Sequence, residues 1–141
     1  STYLLNGQQE ARQRGQWDLA LSMAREIAGQ MFSCGEFGQA RELLFESLDT
    51  ARQQRLEYQE LLVSISLARV LFRLDQRGVL LHILLRAQRL LEARREYQDR
   101  ETAELYKYLA ISYEKIFNDQ ERSMGYYRLY RHLSGLDHRE R

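Results

Sequence analysis

Proline, the strongest breaker of a helix interior, is absent from this 141-residue chain. Leu, Ala, Glu, Gln and Arg dominate instead, all residues that lose little side-chain freedom in a helix, so the sequence predicts an all-α fold. Cysteine is nearly absent. Cys34 stands alone, which excludes an intramolecular disulfide and a CxxC metal site and makes a reducing, cytoplasmic setting the default expectation. Long apolar runs are missing too: the longest nearly uncharged one, residues 61–68, falls far short of the roughly 20 residues a membrane-spanning helix needs. No basic segment followed by an apolar stretch opens the chain. Nor is there an excess of one charge, since 21 basic residues face 20 acidic ones, and no overall field favours nucleic acid or an anionic membrane surface. Electrostatic specificity has to be local.

What the chain does have is helical periodicity at 44% hydrophobic content, enough for one domain with a continuous core. Residues 1–16 carry a weak pattern with an internal Gly7, read as a short partial helix. From Trp17 the pattern strengthens: Trp17, Ala20, Leu21, Ala24, Ile27, Ala28 and Met31 recur at three- and four-residue steps, one buried helix face. A turn at Cys34-Gly35-Glu36 leads to a second run through Ala40, Leu43, Leu44, Ser47, Leu48 and Ala51. The same unit recurs with Leu67-Ala68 and a break at residues 75–78, then with Leu109-Ala110 and a break at Asn118-Asp119-Gln120. Ala28, Ala68 and Ala110 stand 40 and 42 residues apart, a period that points to stacked helical hairpins. The expected architecture is therefore an α-solenoid of about six or seven helices. It divides into the partial helix 1–16 and three repeats, 17–55, 56–98 and 99–137. The second B helix is expected to run from Val79 to about Tyr97, and Asp99 to cap the third repeat. Residues 128–141 still read as helix, and neither end carries a boundary signal, as expected of a piece of a larger protein.

A small residue at each closest helix approach separates this pattern from a generic bundle. With Ile27, Ala28, Met31, Gly35-Glu36-Phe37 and Ala40 in the first repeat, Leu67, Ala68 and Leu71 in the second, and Leu109, Ala110, Tyr113 and Ser123 in the third, the chain resembles the tetratricopeptide repeat family. The resemblance spans residues 17–133, and Leu80 departs from it where the family prefers alanine. The period near 40 resembles the long-repeat variety of bacterial signalling and transcription regulators, which implies a protein- or peptide-binding module. It also implies a concave face made by the A helices and lined by Arg25, Gly29 and Phe32, by Ile65, Arg69 and Phe72, and by Lys107, Ile111 and Glu114. Arg25, Arg69 and Lys107 would fix acidic groups through paired donors while Phe32, Ile65, Phe72 and Ile111 supply apolar contact. The competing reading leaves the cations solvated and the rings in the core.

Other clusters read more plainly. Seven tyrosines, at 97, 106, 108, 113, 126, 127 and 130, suit either an interface or a core edge with wet hydroxyls. Arg86, Arg89, Arg94, Arg95 and Arg100 alternate with Glu92, Glu96 and Asp99, the pattern of a solvated ion-pair face. His82 is isolated in VLLHILL, and His132 and His138 lie some fifty residues away. No HExxH, phosphate loop or nucleophile–base pair is present, so no enzymatic role and no cofactor is expected. The rival roles are self-assembly through solenoid ends, giving a homo-oligomer, and a nucleic-acid-binding repeat, which the balanced charge disfavours.

Overall fold

The computed structural model describes residues 2–136. They form seven α-helices and no strand: α1 (Thr2–Gln13), α2 (Trp17–Ser33), α3 (Phe37–Gln53), α4 (Glu57–Arg73), α5 (Arg77–Ala93), α6 (Glu104–Lys115) and α7 (Gln120–Ser134), with a 3-10 turn at Arg95–Tyr97. The all-α expectation holds, and no helix among the described residues is long and apolar enough to cross a membrane. The expected helical ending of the chain from residue 137 onward, His138 included, lies outside the described residues. The chain divides into two compact units, residues 1–76 and 77–141. In the first, each helix packs on the next and α2 also touches α4, the contact that stacked hairpins make between alternate helices. In the second, α5 packs on the 3-10 turn and on α6, and α6 on α7.

A 20-residue unit, half the expected period, emerges in the helices themselves. Helices α2 to α5 are each 17 residues long and start at Trp17, Phe37, Glu57 and Arg77. Each three-residue connection is built the same way. The residue two before each of these helices has positive φ: Gly15 at 71°, Gly35 at 79°, Arg55 at 55° and Asp75 at 57°. The next residue's N–H reaches back five positions, from Gln16 to the Ala11 carbonyl at 2.8 Å, Glu36 to Met31 at 2.8 Å, Leu56 to Ala51 at 2.9 Å and Gln76 to Leu71 at 3.0 Å. These are Schellman closures, in which a left-handed residue lets the chain satisfy the orphan carbonyls of the last turn and reverse.

The core follows from the shared register. Ala20, Ala40 and Leu80 occupy one position of the unit and are all buried. Glu60 stands at the same position, only 9% exposed, where its carboxylate lies 3.4 Å from Arg52 Nε. Ala28, Ala68 and Ala110 are buried as expected. At Ala110 the approach of α7 is close enough for the Ser123 hydroxyl to donate to the Ala110 carbonyl at 2.8 Å. Helix α4 buries ten residues, including Leu61 and Leu62, which the one-face reading of the sequence left out.

Two boundaries differ from expectation. The second B helix runs Arg77–Ala93 rather than from Val79 to Tyr97, because the 17-residue register closes it early and residues 95–97 tighten into a 3-10 turn. Asp99 does cap: its Oδ1 accepts the Thr102 N–H at 2.9 Å while the Thr102 hydroxyl accepts the Asp99 N–H at 2.9 Å, but regular α-helix begins only at Glu104. Asn6-Gly7, a dipeptide common in turns, lies inside α1, with Gly7 against Met23, whose Cε would stand 3.1 Å from an added Cβ.

The turn geometry makes a stability prediction. A non-glycine residue held left-handed costs about 1–2 kcal/mol, partly offset because glycine loses more entropy on folding. Arg55→Gly should therefore raise the unfolding free energy by about 0.5 kcal/mol, and Gly35→Ala should lower it by about 1 kcal/mol, read from urea midpoints at unchanged helical content.

Candidate partner-binding face of α2 and α4

The first unit gathers four of the expected residues, Arg25, Gly29, Phe32 and Arg69, around one cleft. Arg25, Ala28, Gly29 and Phe32 come from α2, Ser66, Arg69 and Val70 from α4, and Leu44 of α3 lies at the base. The enclosed volume is about 120 Å³. Residues four apart share a helix face, which puts Arg25 beside Gly29, and the α2–α4 contact carries Arg69 across to α2. The Arg69 guanidinium lies 3.9 Å above the centroid of the Phe32 ring. A cation placed over a ring in this way gains about 0.5–1 kcal/mol at an exposed site while its N–H donors stay available.

Arg25 is the less ordinary cation. Its Nε is buried and has no hydrogen-bond partner. A buried donor left unmade costs about 1–3 kcal/mol. No carboxylate lines the cleft. Gly29 sits in the interior of α2, where an added Cβ would meet nothing within 4 Å, so no close approach inside the chain demands glycine there.

Ile65 and Phe72 lie on α4 outside the lining of the cleft, both half-buried. Two residues that the sequence reading passed over extend the face. Phe37 packs edge-on to Phe32, with centroids 5.1 Å apart at 66°, and the Arg73 guanidinium lies 5.3 Å from the Phe37 centroid. Arg69, Phe32, Phe37 and Arg73 thus form a continuous cation–aromatic ladder. Its signal was present in the sequence, since Arg73 follows Arg69 by four residues on one helix face.

Lys107 and Ile111 belong to the second unit, both half-buried on α6. Lys107 does not present an uncompensated charge, for its Nζ stands 2.6 Å from the Glu104 carboxylate. Burial acts to lower its pKa, but the hydrogen bond and charge of Glu104, with the Tyr108 and Tyr130 hydroxyls, outweigh that and hold it above the usual lysine value. The tyrosines form a core edge of this unit. Tyr106 is buried and stacks on Tyr126 at 6.2 Å, Tyr113 lies 5.4 Å from Tyr126, and the Gln88 side-chain amide donates to the Tyr126 hydroxyl at 3.1 Å. Burial raises the Tyr106 pKa, with the charges of Glu92 and Tyr126 adding to it. His82 and Cys34 are both exposed. Among the described residues, no group of three or more His, Cys, Asp or Glu side chains could hold a metal ion.

The geometry defines a helical-repeat face built around two guanidinium groups and a pair of rings. Comparison with protein-family models, with curated proteins and with solved structures finds no match to this chain.

Two outcomes follow. Gly29→Ala should stabilise the protein by about 0.5–1 kcal/mol, the helix-interior difference between the two residues, measurable as a raised urea midpoint. For Tyr106, a folded-state pKa above the unfolded one means that the unfolded chain ionises first as pH rises. The stabilisation is therefore complete below the ordinary value of 10.0 and is lost above it. Tyr106→Phe should make the alkaline fall in stability shallower, as read by urea titrations on either side of that value.

Proposed function

We propose that this chain is a tetratricopeptide-like interaction module of a regulatory protein, in signalling or control of transcription, and that it binds a protein or peptide partner across the α2–α4 face. The observation that carries the reading is the convergence of Arg25 and Arg69 on one cleft that no carboxylate lines. Paired guanidinium groups with apolar rings beside them match an acidic segment, whose charged group meets the forks while its neighbours rest on the rings. Size argues for a macromolecular partner: pockets that enclose a whole small ligand run to about 300–1,000 Å³, whereas about 120 Å³ admits one side chain. In this reading Arg25 and Arg69 fix the acidic group, and Phe32, Ile65 and Phe72 provide apolar contact. Lys107 and Ile111, on the other unit and with the lysine engaged by Glu104, drop out of the binding face.

The test is a pull-down from the source cell with this chain as bait, followed by affinity measurements on the captured partner. Arg69→Ala and Phe72→Ala should each weaken binding at least about tenfold, or about 1.4 kcal/mol, while helical content and melting temperature stay close to those of the parent. Loss of fold in step with loss of binding would make those residues structural and remove the reading.

A further inference from the structure

The cleft between α2 and α4 carries more charge than one carboxylate can answer. Two guanidinium groups line it without a facing acid, and Arg73 on its ring lies one helical turn beyond Arg69. An aspartate or glutamate brought into the cleft would neutralise one of the two lining cations and leave the other facing it. A phosphate monoester carries about −1.5 to −2 charge at pH 7 and offers three acceptor oxygens. The donor-bearing side chains in the lining match that count: the Arg25 guanidinium, the Arg69 guanidinium above Phe32, and the Ser66 hydroxyl three residues before Arg69. Gly29 adds no side chain to the lining, and an added Cβ there would meet nothing within 4 Å. The volume of about 120 Å³ holds one such group and its short stem.

We infer that this cleft is a phosphate-monoester site that receives a phosphorylated side chain of the partner. The inference rests on the α2–α4 face being the binding face, and it sharpens the partner from an acidic segment to a phosphorylated one. Arg–phosphate pairing is bidentate and directional, so the fork geometry matters as well as the charge. The Phe32 ring acts by fixing the plane of Arg69, and Arg73 adds attraction from the rim.

The experiment is fluorescence anisotropy on the whole chain with a dye-labelled Gly-Ala-Xaa-Ala-Gly peptide in which Xaa is serine, glutamate or phosphoserine, with inorganic phosphate as competitor. The phosphoserine form should bind at least about tenfold more tightly than the glutamate form, and the serine form should not bind. Arg25→Gln and Arg69→Gln should each cost at least about tenfold, Arg69→Lys should recover only part of the loss, and binding should weaken steeply with salt. Gly29→Leu, which fills the cleft with a good helix former, should abolish binding at unchanged helical content and a melting temperature no lower than the parent's. Glutamate binding as tightly as phosphoserine would overturn the phosphate assignment while leaving the acidic-partner reading standing. Displacement by inorganic phosphate with no advantage for the phosphopeptide would place a free phosphate there and overturn the side-chain assignment. Indifference of all three peptides to Arg25 and Arg69 would remove both readings.

Discussion

Everything in the first unit depends on a helix being made to stop after 17 residues and reverse within three. The left-handed residue at 15, 35, 55 and 75 does this, because only there can the following N–H turn back to a carbonyl five residues earlier. Were one helix to run on by a single residue, the next would enter rotated by about 100°, and its apolar stripe would leave the core. Equal helix lengths and equal turns keep the stripe in place, so that Ala20, Ala40 and Leu80 are buried at one position of the unit although their volumes differ. Glu60 shows how strong the constraint is. A carboxylate is carried into a nearly buried position by register alone and is met there by Arg52, rather than being turned out to solvent.

Register also sets the chemistry of the face. Residues 32, 52 and 72 are equivalent in the 20-residue unit, as are 12 and 52, and they read Arg12, Phe32, Arg52 and Phe72. Aromatic residues fall on α2 and α4 and arginines on α1 and α3. The arginines of α1 and α3 meet acids: Arg12 reaches Glu46 at 2.7 Å and Arg52 reaches Glu60. The arginines facing the α2–α4 cleft meet rings instead, Arg69 on Phe32 and Arg73 on Phe37. Arg12 and Arg52 each have their charge answered by an acid, whereas Arg69 and Arg73 lie over rings that leave the guanidinium edge available.

Much of the fold was legible because burial imposes a 3.6-residue rhythm that no local accident erases: the buried faces of α2, α3 and α6 show in the sequence through Ala28, Leu44 and Leu109. The 20-residue unit was hidden because α2 and α4 present alanine at positions 28 and 68 where α3 presents Leu48, so only every second helix looked alike. The turns at 55 and 75 were hidden for a related reason. Arginine and aspartate occupy left-handed positions that glycine announces at 15 and 35. At the candidate site, Arg25, Phe32 and Arg69, which the family resemblance implied, lie around one cleft, while Lys107 is paired rather than free. Glu104 stands three residues before it on the same helix, a pairing visible in the sequence, and the two groups met at 2.6 Å. Arg73 was legible from its four-residue step after Arg69, whereas Phe37 escaped because its contact with a guanidinium on another helix has no one-dimensional spacing.

Three local costs meet at this cleft, and they share a direction. Glycine at position 29 costs helix stability of about 0.5–1 kcal/mol without any close packing that calls for it. The Arg25 Nε is taken out of water with no acceptor, and Arg69 and Arg25 bring like charges to one small space. Each would be relieved by a single change within the chain, an alanine at 29 or an acid on α4. In a sequence otherwise consistent from turn to core, such uncompensated costs collect where a ligand completes the arrangement. A bound anion would cancel the repulsion and fill the space that glycine leaves open, removing two separate costs at once. That shared remedy, more than any one contact, is what marks the α2–α4 cleft off from the solvated charges on the rest of the surface.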